Sequence, residues 1–463
     1  MLIKPDYEAE SLNNIGIVLR QQNKIDHAIR FFKKALSINS SLHQAHNNLI
    51  FCQDFMPNIS LIDQQKEREK WNHNFILPLS SKCRPHTNER NPDKKLSIGY
   101  VSSDFKKHSA AIGFSDLILN YDSTRFQVYC YCGVERFKSD EITALFQNHN
   151  SIWRSVHRLK DIELVEQIRK DQIDILVDLS GHTAGNRLLT FGYKPAPIQV
   201  TGIGHAPPGL TTIDYRLTSK LQTFFHEEIL FPEQPIYLSY TMGFHLHQTE
   251  VDLSPLPSYK NGFLTFGYLN RWDKISPEIL SIWIELMRTI PDSRLILKGG
   301  KMTDKNIGVS ILSQMKKGGI SEERIDLRGQ TSHHKHLSTY QEIDIALDPF
   351  PYSGGITTLE SFWMGIPVIS LYEESKFASR NANVFFHPMG LGDWLAKSRS
   401  EYIQLAKDWS QKLEELEKLR FSLRKRLETQ TKIFRIQVEE AYRQIWQRWC
   451  RNEKPSSLSI NSK

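Results

Sequence analysis

One stretch, residues 344–370, constrains the fold of this 463-residue chain more than any other. It opens on Asp344 in an apolar run, residues 343–347, that is typical of a buried strand, and a Pro-rich turn leads to Ser353-Gly-Gly-Ile-Thr-Thr358. An apolar helical run follows and ends at Gly365, and Pro367-Val-Ile-Ser370 is typical of a second strand. Strand, helix and strand in that order predict a parallel pair joined by a helical crossover, and therefore an α/β domain.

The helix start in this stretch also predicts an anion site. Gly354 and Gly355 precede Ile356, Thr357 and a second threonine. The first N–H groups of a helix have no intrahelical partner, the dipole end is positive, and glycine allows a phosphate to approach closely. Glu360 follows within the first turns, where a carboxylate is placed to hold a ribose hydroxyl. An ordinary β–α connection with hydroxyl N-caps is the alternative, and the helix start alone does not separate the two.

Composition is that of a globular protein with more than one domain. The chain is 40% hydrophobic and 24% charged, and its length suits two or three domains. The net charge of +7 is scattered, apart from residues 420–426 and the pair Lys316-Lys317. This distribution favours anionic small ligands and argues against a nucleic-acid-binding protein.

Cysteine and histidine usage predicts a reducing compartment and no metal cofactor. The five cysteines are scattered without paired metal spacing, which is typical of cytoplasmic proteins. His333, His334 and His336 form the densest histidine cluster, and the sequence places no carboxylate beside them at ligand spacing. An apolar leader and an apolar run of about 20 residues are both missing, so we expect a cytoplasmic protein without a membrane span.

Residues 9–42 carry a helical-repeat pattern within a stub predicted over residues 1–57, and a second repeat begins near His43 but breaks down after Cys52. About three repeats are needed for an independent array. We therefore expect this α-helical tetratricopeptide stub to pack on the next domain or to extend through a protein partner, with a generic helical hairpin as the alternative. The positions that match a roughly 34-residue tetratricopeptide unit are Leu12, Ile15, Gly16, Leu19, Ala28, Phe32 and Ala35.

The rest of the chain alternates strand and helix signals. A helical linker is predicted over 58–95, strands and helices alternate over 96–250 and 262–400, and C-terminal helices are predicted over 401–451. Apolar strands separated by helices imply parallel sheets that are covered on both faces. We therefore predict two doubly wound, Rossmann-like α/β domains, whose ligands bind beyond the carboxyl ends of the strands.

Two candidate catalytic residues follow predicted strands. His108 ends the segment after the strand at residue 96, and it is a candidate general base or oxygen ligand, against the alternative of a solvated loop histidine. Lys274 lies in Asn270-Arg271-Trp-Asp-Lys274, just before a predicted helix, where its charge would stabilise a leaving diphosphate. An isolated lysine there is more often solvent-facing. Without an Asp-X-Asp motif, this chemistry would use Lys274 and the Gly354 helix start in place of a metal.

Two further polar segments follow strands. Gln330-Thr-Ser-His-His-Lys-His336 is a candidate contact for a nucleotide base, with a solvated polar loop as the alternative. Asp178-Leu-Ser-Gly-His182 points toward the same predicted edge, although an Asp at a strand end also simply caps the next turn.

Taken together, these motifs resemble those of the bacterial relatives of the protein O-linked N-acetylglucosamine transferases, a group that includes the plant SPINDLY type. They occur in family order over about residues 96–395, behind the repeat. The matching segments are Ile98-Gly-Tyr-Val-Ser-Ser-Asp-Phe-Lys-Lys-His108, Asp174-Ile-Leu-Val-Asp-Leu-Ser-Gly-His-Thr, Pro195-Ala-Pro-Ile-Gln-Val, Phe266-Gly-Tyr-Leu-Asn-Arg-Trp-Asp-Lys-Ile-Ser-Pro, Asp344-Ile-Ala-Leu-Asp, Gly354-Gly-Ile-Thr-Thr-Leu-Glu and Trp363-Met-Gly-Ile-Pro-Val.

The resemblance implies a GT-B architecture. It also implies an inverting, metal-independent transfer of N-acetylglucosamine or another hexose from a UDP-sugar to a protein Ser or Thr or a related acceptor. SPINDLY-type relatives use another donor, GDP-fucose. Two alternatives stay open: a non-catalytic tetratricopeptide scaffold on a degenerate transferase fold, and a GT-B epimerase acting on the nucleotide sugar itself.

The resemblance also assigns roles to residues. His108 matches the active-site histidine once proposed as the base, and Lys274 matches the lysine that holds the diphosphate. His336 matches the histidine beside the uracil, with Gln330 and His333 near that base. The remaining binding residues implied by motif position are the preceding strand-end pair Asn270 and Arg271, the diphosphate loop Gly354, Gly355, Ile356 and Thr357, and the acid near the ribose, Glu360.

The chain departs from the family pattern at four places. Ile356 replaces a hydroxyl residue that is usual in the diphosphate loop, and Gly355 stands where animal members have His. Arg271 replaces an amide, and Gly204-His205-Ala-Pro-Pro-Gly replaces the usual Gly-Tyr-Pro-Gly. We therefore expect the sugar and acceptor pockets to differ from those of the animal enzymes.

Overall fold

The structure, a computed structural model, describes residues 5–56, 59–203, 206–246 and 251–461. Gly204 and His205 lie outside the described residues, as does the predicted boundary between residues 57 and 58. The chain divides into two compact units, Met1–His247 with Thr431–Lys463 and Gln248–Gln430. No helix in the described ranges is long and apolar enough to cross a membrane.

Helices precede the first strand and separate most of the strands. In chain order they are α1 (Pro5–Gln21), α2 (Ile25–Ile38), α3 (His43–Gln53), α4 (Leu61–Trp71), α5 (Leu77–Ser80), α6 (Ser109–Leu119), α7 (Glu141–Gln147), α8 (Asp161–Lys170), α9 (Leu188–Gly192), α10 (Pro257–Asn261), α11 (Pro277–Thr289), α12 (Lys305–Lys317), α13 (His333–Thr339), α14 (Ile356–Trp363), α15 (Arg380–Phe386), α16 (Arg399–Ser410) and α17 (Leu413–Cys450). A π-helical turn, Asn72–Ile76, joins α4 to α5.

Each unit has one sheet, and every strand pair in the described residues is parallel. The first sheet has the order β14-β7-β6-β5-β4-β1-β2-β3 and the second has the order β10-β9-β8-β11-β12-β13. The strands are β1 (Leu96–Ser102), β2 (Phe126–Cys132), β3 (Ile152–Ser155), β4 (Ile175–Asp178), β5 (Ile198–Thr201), β6 (Tyr215–Thr218), β7 (Gln234–Tyr237), β8 (Thr265–Leu269), β9 (Arg294–Lys298), β10 (Ile325–Arg328), β11 (Ile345–Leu347), β12 (Val368–Leu371), β13 (Leu395–Ala396) and β14 (Leu458–Ser459). The two parallel sheets and the helical N-terminal region confirm the predicted fold class.

The order of the strands decides which loops can form a site. In the first unit, β1, β4 and β5 are neighbours, so the loops after their carboxyl ends share one edge of the sheet. In the second unit, the same holds for the segments after β8, β11 and β12. These are the edges at which parallel α/β sheets bind ligands.

The repeat stub has the close helix packing that its small residues predict. A Cβ on Gly16 would lie 2.5 Å from the ring of Phe32, and Ala28 is fully buried in the same seam. Asn23 makes the turn between α1 and α2 with a φ of 57°, a left-handed conformation that Asn tolerates. Ile50 of α3 lies in the core of the first unit with Trp71 of α4 and with strand residues such as Val101 and Leu176. The stub therefore packs on its own chain, the first of the two arrangements expected for it.

The end of helix α17 belongs to the first unit, where it holds the segment that precedes β1. Trp446 Nε1 donates to the carbonyl of Asn91 at 2.9 Å. Arg443 donates to the carbonyls of Pro92 at 2.8 Å and Lys94 at 2.9 Å. This polar, irregular segment is thus fixed by side chains more than 300 residues away in sequence.

Candidate functional site

Neighbouring strands bring the main predicted binding segments together in the second unit. β8 pairs with β11 through Phe266 and Ile345, so the segments that follow the two strands leave the same edge. Gly267 makes this pairing possible, because a Cβ there would collide with the side chain of Ile343. One segment carries Asn270 and Lys274, and the other leads to the start of α14.

The start of α14 presents backbone N–H groups on an open surface. Thr358 and Leu359 donate their N–H groups to the Gly355 carbonyl at 3.0 and 3.1 Å, so the N–H groups that precede them lack intrahelical acceptors. A Cβ on Gly355 would meet nothing within 4 Å. Ile356 is only 9% exposed, so it contributes its backbone to this surface while its side chain packs inward.

Thr357 is held in place at this helix start. Asn270 Nδ2 donates to Thr357 Oγ1 at 2.9 Å, and the Tyr340 hydroxyl donates to the Thr357 carbonyl at 3.2 Å. Side chains from two different elements therefore hold Thr357, the hydroxyl residue next to Ile356 in the predicted diphosphate loop.

Lys274 places a cation beside the same helix start. Its Nζ donates to the Ser353 carbonyl at 2.9 Å and lies 3.9 Å from the centre of the Tyr352 ring. The lysine ends a short helical turn before α11, which Ser276 caps by accepting the N–H of Ile279. The structure thus unites the predicted cation with the Gly-Gly segment, 79 residues further along the chain.

Asp348 is a site residue that the sequence reasoning missed. Its carboxylate is 3% exposed and accepts three hydrogen bonds: from the Gly354 N–H at 2.9 Å, from Thr358 Oγ1 at 3.2 Å and from Ser370 Oγ at 2.7 Å. Burial raises its pKa to about 6, against the opposing effects of the Ser370 hydrogen bond and the charge of Lys274. A carboxylate at the end of a buried strand was the one signal in the sequence.

Position 354 has room only for glycine, in part because the Asp348 carboxylate lies against it. A Cβ on Gly354 would collide with Thr358 Oγ1 and would lie 2.5 Å from Asp348 Oδ1. On sequence alone, both glycines of the pair are expected to allow a phosphate to approach closely. In the structure only Gly355 is open in that way, while Gly354 lets the buried carboxylate reach the backbone.

Glu360, His333 and His336 form a second cluster of the same unit. His333 Nε2 lies 3.0 Å from Glu360 Oε1, and His336 Nε2 lies 3.4 Å from Oε2. Burial opposes ionisation of Glu360, but the hydrogen bonds from the two histidines outweigh it and lower its pKa to about 2. The two imidazole rings are nearly parallel, with centroids 6.3 Å apart and an interplanar angle of 15°.

This pairing could not be read from the sequence, because Glu360 lies 27 residues beyond His333. In both histidines it is Nε2 that faces the Glu360 carboxylate. Among the residues that the structure describes, no group of three or more His, Cys, Asp or Glu side chains is placed to hold a metal ion.

The Glu360 cluster predicts a loss of stability in acid. Because the folded pKa of about 2 lies below the ordinary value of 4.5, its contribution to stability is complete above pH 4.5 and disappears as the pH falls toward 2. This difference corresponds to about 3 kcal/mol. We expect Glu360→Gln to flatten the fall in unfolding free energy between pH 5 and pH 2.5, measured by urea titration. Glu322→Gln, at an exposed residue, is the control, and an unchanged slope for Glu360→Gln would contradict the assignment.

Two predicted nucleotide-binding residues lie at the surface. Arg271 is paired with Asp273, through Nε to Oδ1 at 3.0 Å and through a terminal nitrogen to Oδ2 at 3.1 Å. Gln330 is exposed in the loop between β10 and α13. The charge of Arg271 is therefore already balanced by a neighbouring carboxylate.

His108 belongs to the first unit, where it caps helix α6. Its Nδ1 accepts the N–H of Ala110 at 3.2 Å, and its side chain is 47% exposed. A ring nitrogen that accepts a hydrogen bond carries no proton, so the neutral ring has its proton on Nε2. The structure therefore shows His108 as a half-exposed helix cap, and its role toward a substrate stays a prediction.

Asp178 and His182 stabilise loops of the first unit. Asp178 accepts the N–H groups of Ser180 and Gly181 and the hydroxyl of Thr201. His182 is 8% exposed, and both of its ring nitrogens have partners within the unit. For Asp178, the capping alternative of the sequence analysis therefore describes the structure.

Comparisons with known proteins agree with these features. The sequence profile of glycosyl transferase family 41 matches residues 76–252 and 256–441, and that of the tetratricopeptide repeat matches residues 9–42. The chain is similar to a mutant O-GlcNAc transferase of Thermobaculum terrenum, with a TM-score of 0.88 and 30% sequence identity over 97% of this chain and 86% of that chain.

Plant proteins are among the similar sequences. The Arabidopsis thaliana protein described as probable UDP-N-acetylglucosamine–peptide N-acetylglucosaminyltransferase SPINDLY is 33% identical over 80% of this chain and 41% of its own length. The Oryza sativa protein of the same description is 32% identical over 92% of this chain and 47% of its own length. The chain thus spans less than half the length of these curated relatives.

Proposed function

The chain belongs to glycosyl transferase family 41, and from this membership we propose that it is an inverting, metal-independent glycosyltransferase. Its donor is a UDP-sugar that carries N-acetylglucosamine or another hexose, and its acceptor is a protein Ser or Thr or a related hydroxyl. The observation that carries the proposal is the position of the Lys274 ammonium beside the open helix start at Gly355.

The diphosphate end of the donor fits this helix start. Backbone N–H groups, the positive end of the helix dipole and the Thr357 hydroxyl supply hydrogen bonds and partial charge, and Lys274 supplies a full charge. Such preorganised groups stabilise negative charge as it develops on the leaving diphosphate. This support does not require a metal ion.

The nucleoside end fits the cluster of Glu360, His333 and His336. The partly exposed imidazoles of His333 and His336 lie beside the ionised carboxylate of Glu360, which can accept further hydrogen bonds from ribose hydroxyl groups. The cluster and the diphosphate site share helix α14, because Glu360 lies one turn beyond Ile356 and Thr357. Their spacing on one helix suits the two halves of one nucleoside diphosphate.

In the proposed reaction the acceptor oxygen bonds to the anomeric carbon of the sugar as the bond from that carbon to the diphosphate oxygen breaks. The acceptor proton leaves to a base, and UDP departs with the electron pair of the broken bond. Attack from the face opposite to the leaving group inverts the anomeric configuration. In this scheme Lys274 stays paired with the diphosphate.

Thermal unfolding in the presence of UDP tests the proposal. A ligand at 100 times its dissociation constant adds about 2.7 kcal/mol to stability. We expect UDP in excess to raise the Tm by about 5 °C in the presence of EDTA, and manganese to add nothing further. Adenosine diphosphate is the control for the base. No shift with UDP, or a shift only with manganese, would contradict the mechanism.

The same protein preparation can be used to test which nucleotide sugar is the donor. UDP-N-acetylglucosamine, UDP-glucose and GDP-fucose are compared for hydrolysis, with release of nucleoside diphosphate as the readout. GDP-fucose belongs in the comparison because the chain is similar to the SPINDLY proteins. Hydrolysis of a UDP-sugar supports the proposal, whereas a clear preference for GDP-fucose would replace the proposed donor.

A further inference from the structure

Buried side chains from the repeat stub and from the helix that follows it converge on one loop segment of the first unit. This segment, residues 206–211, belongs to the connection between β5 and β6. Pro207, Pro208, Gly209 and Leu210 are buried, although the segment has no regular secondary structure. A buried irregular segment must have its backbone polar groups paired. In this segment the partners are side chains, and several of them come from the repeat stub and from the helix that follows it.

The first contact comes from the repeat stub itself. Asn47 of α3 lies with its Oδ1 2.8 Å from His182 Nδ1, and His182 Nε2 lies 2.8 Å from the carbonyl oxygen of Pro208. The carbonyl can only accept, so Nε2 donates to it, and the His182 ring links the Asn47 side chain to the Pro208 backbone. All three residues are buried, and the edge of Trp71 packs on the histidine ring.

The second contact comes from α4. Arg68 is 3% exposed, and its Nε donates to the Pro207 carbonyl at 3.1 Å. Gly209 adopts a φ of +77°, and a Cβ there would lie 2.9 Å from the Arg68 Cβ. The helix thus lies directly against the segment's backbone, an approach that only glycine allows.

The third and fourth contacts complete the set. Glu233 Oε1 accepts the N–H groups of Gly209 and Leu210 at 2.8 and 2.9 Å. Asn72, in the π-helical turn, accepts the N–H of Thr211 at 3.0 Å. Each residue from 207 to 211 therefore has a backbone group held by a side chain, and those side chains come from three separate places in the sequence.

We infer that the repeat stub and α4 form a scaffold for segment 206–211, and that Asn47, Arg68 and Asn72 are positioning residues for sugar transfer. The segment belongs to the loop that leaves the carboxyl end of β5, and that end lies on the same sheet edge as the ends of β4 and β1, the latter followed by His108. Loops at such an edge form the ligand site of a parallel sheet, and catalysis requires that they be held rigidly. This inference rests on the proposed function.

The scaffold gives the short stub a role that does not depend on a partner. One full repeat buries too little surface to stand alone, and here it gains a core contact through Ile50 and a polar contact through Asn47. The stub's exposed α1 face, which includes Val18, takes no part in these contacts.

Amide exchange and donor hydrolysis, measured on the full chain, test the inference. Asn47→Ala and Arg68→Met are expected to speed exchange in the peptide that covers residues 206–211 by about tenfold or more. The same variants should lower kcat for UDP-sugar hydrolysis about tenfold and leave the Kd for UDP within twofold. Arg68→Lys, which keeps a donor, should recover part of both losses. Val18→Ser, on the exposed face of the stub, should change neither.

Each outcome decides the inference. Unchanged exchange in Asn47→Ala and Arg68→Met would refute the scaffold, and faster exchange with an unchanged kcat would refute the positioning role. If Arg68→Met fails to fold, Asn47→Ala and Arg68→Lys carry the same comparison. Failure of the proposed function looks different, because the wild-type chain would then not bind UDP, and the exchange measurement would still decide whether the scaffold exists.

Discussion

Replacing Lys274 by Ala should weaken UDP binding by about 10- to 100-fold, with little change in the stability of the free protein. Its Nζ contacts the Ser353 carbonyl and the Tyr352 ring. A hydrogen bond to a charged group contributes about 1.5–3 kcal/mol, which corresponds to the expected change in affinity. Isothermal titration with UDP in EDTA gives the Kd, and thermal unfolding of the free protein gives its stability.

Two matched variants sharpen this measurement. Lys274→Arg keeps the charge but changes its geometry, so we expect an intermediate loss. Lys317→Ala, at an exposed lysine late in α12, removes one charge at a distance in sequence from the site and should leave the Kd unchanged. If Lys317→Ala weakened binding as much as Lys274→Ala, the effect would be one of net charge, and the proposed contact with the diphosphate would be wrong. An unchanged Kd in Lys274→Ala would lead to the same conclusion.

Of the substitutions that add a single methyl group, Gly354→Ala is expected to disturb the site most. The added Cβ would collide with Thr358 Oγ1 and would lie 2.5 Å from Asp348 Oδ1, so the helix start or the buried carboxylate must move. We expect a loss of about 1–3 kcal/mol in unfolding free energy and at least a tenfold increase in the Kd for UDP. Urea titration and calorimetric titration measure the two quantities.

The neighbouring glycine provides the control for stability. Gly355→Ala adds the same methyl group where nothing lies within 4 Å, so its stability should fall by no more than about 1 kcal/mol. Asp348→Ala in the Gly354→Ala background removes one of the two colliding groups, so the losses of the single variants should not add. Equal stability losses for the two glycine variants, or full additivity with Asp348→Ala, would show that the carboxylate does not determine the shape of this loop.

The parts of the fold that could be predicted are those with local signals. Apolar strands such as residues 173–179 and 343–347 alternate with amphipathic helices, and the Gly-Gly pair marks a helix start whatever lies around it. The contact between Lys274 and Ser353 could also be expected, because the two residues follow β8 and β11, which are neighbouring parallel strands. Because the carboxyl ends of neighbouring parallel strands share one edge of the sheet, residues that follow separate strands can be predicted to form one site.

Contacts between distant side chains could not be predicted. The pairing of His333 with Glu360, and of His182 with Asn47, depends on where helices dock, which periodicity does not specify. Asp348 gave only an ambiguous signal, since an aspartate after a strand is common in turns. For His108 the sequence did not reveal that the ring caps helix α6 by accepting the N–H of Ala110.

The two units differ in how they can be made and separated. The second unit is one continuous piece of chain, residues 248–430, so it can be excised by two cuts. The first unit is discontinuous, and its sheet has β14 (Leu458–Ser459) as the edge strand beside β7. During synthesis from the N-terminus, that sheet therefore waits for residues 458–459 to be made, and a fragment that stops near residue 247 would expose the unpaired edge of β7.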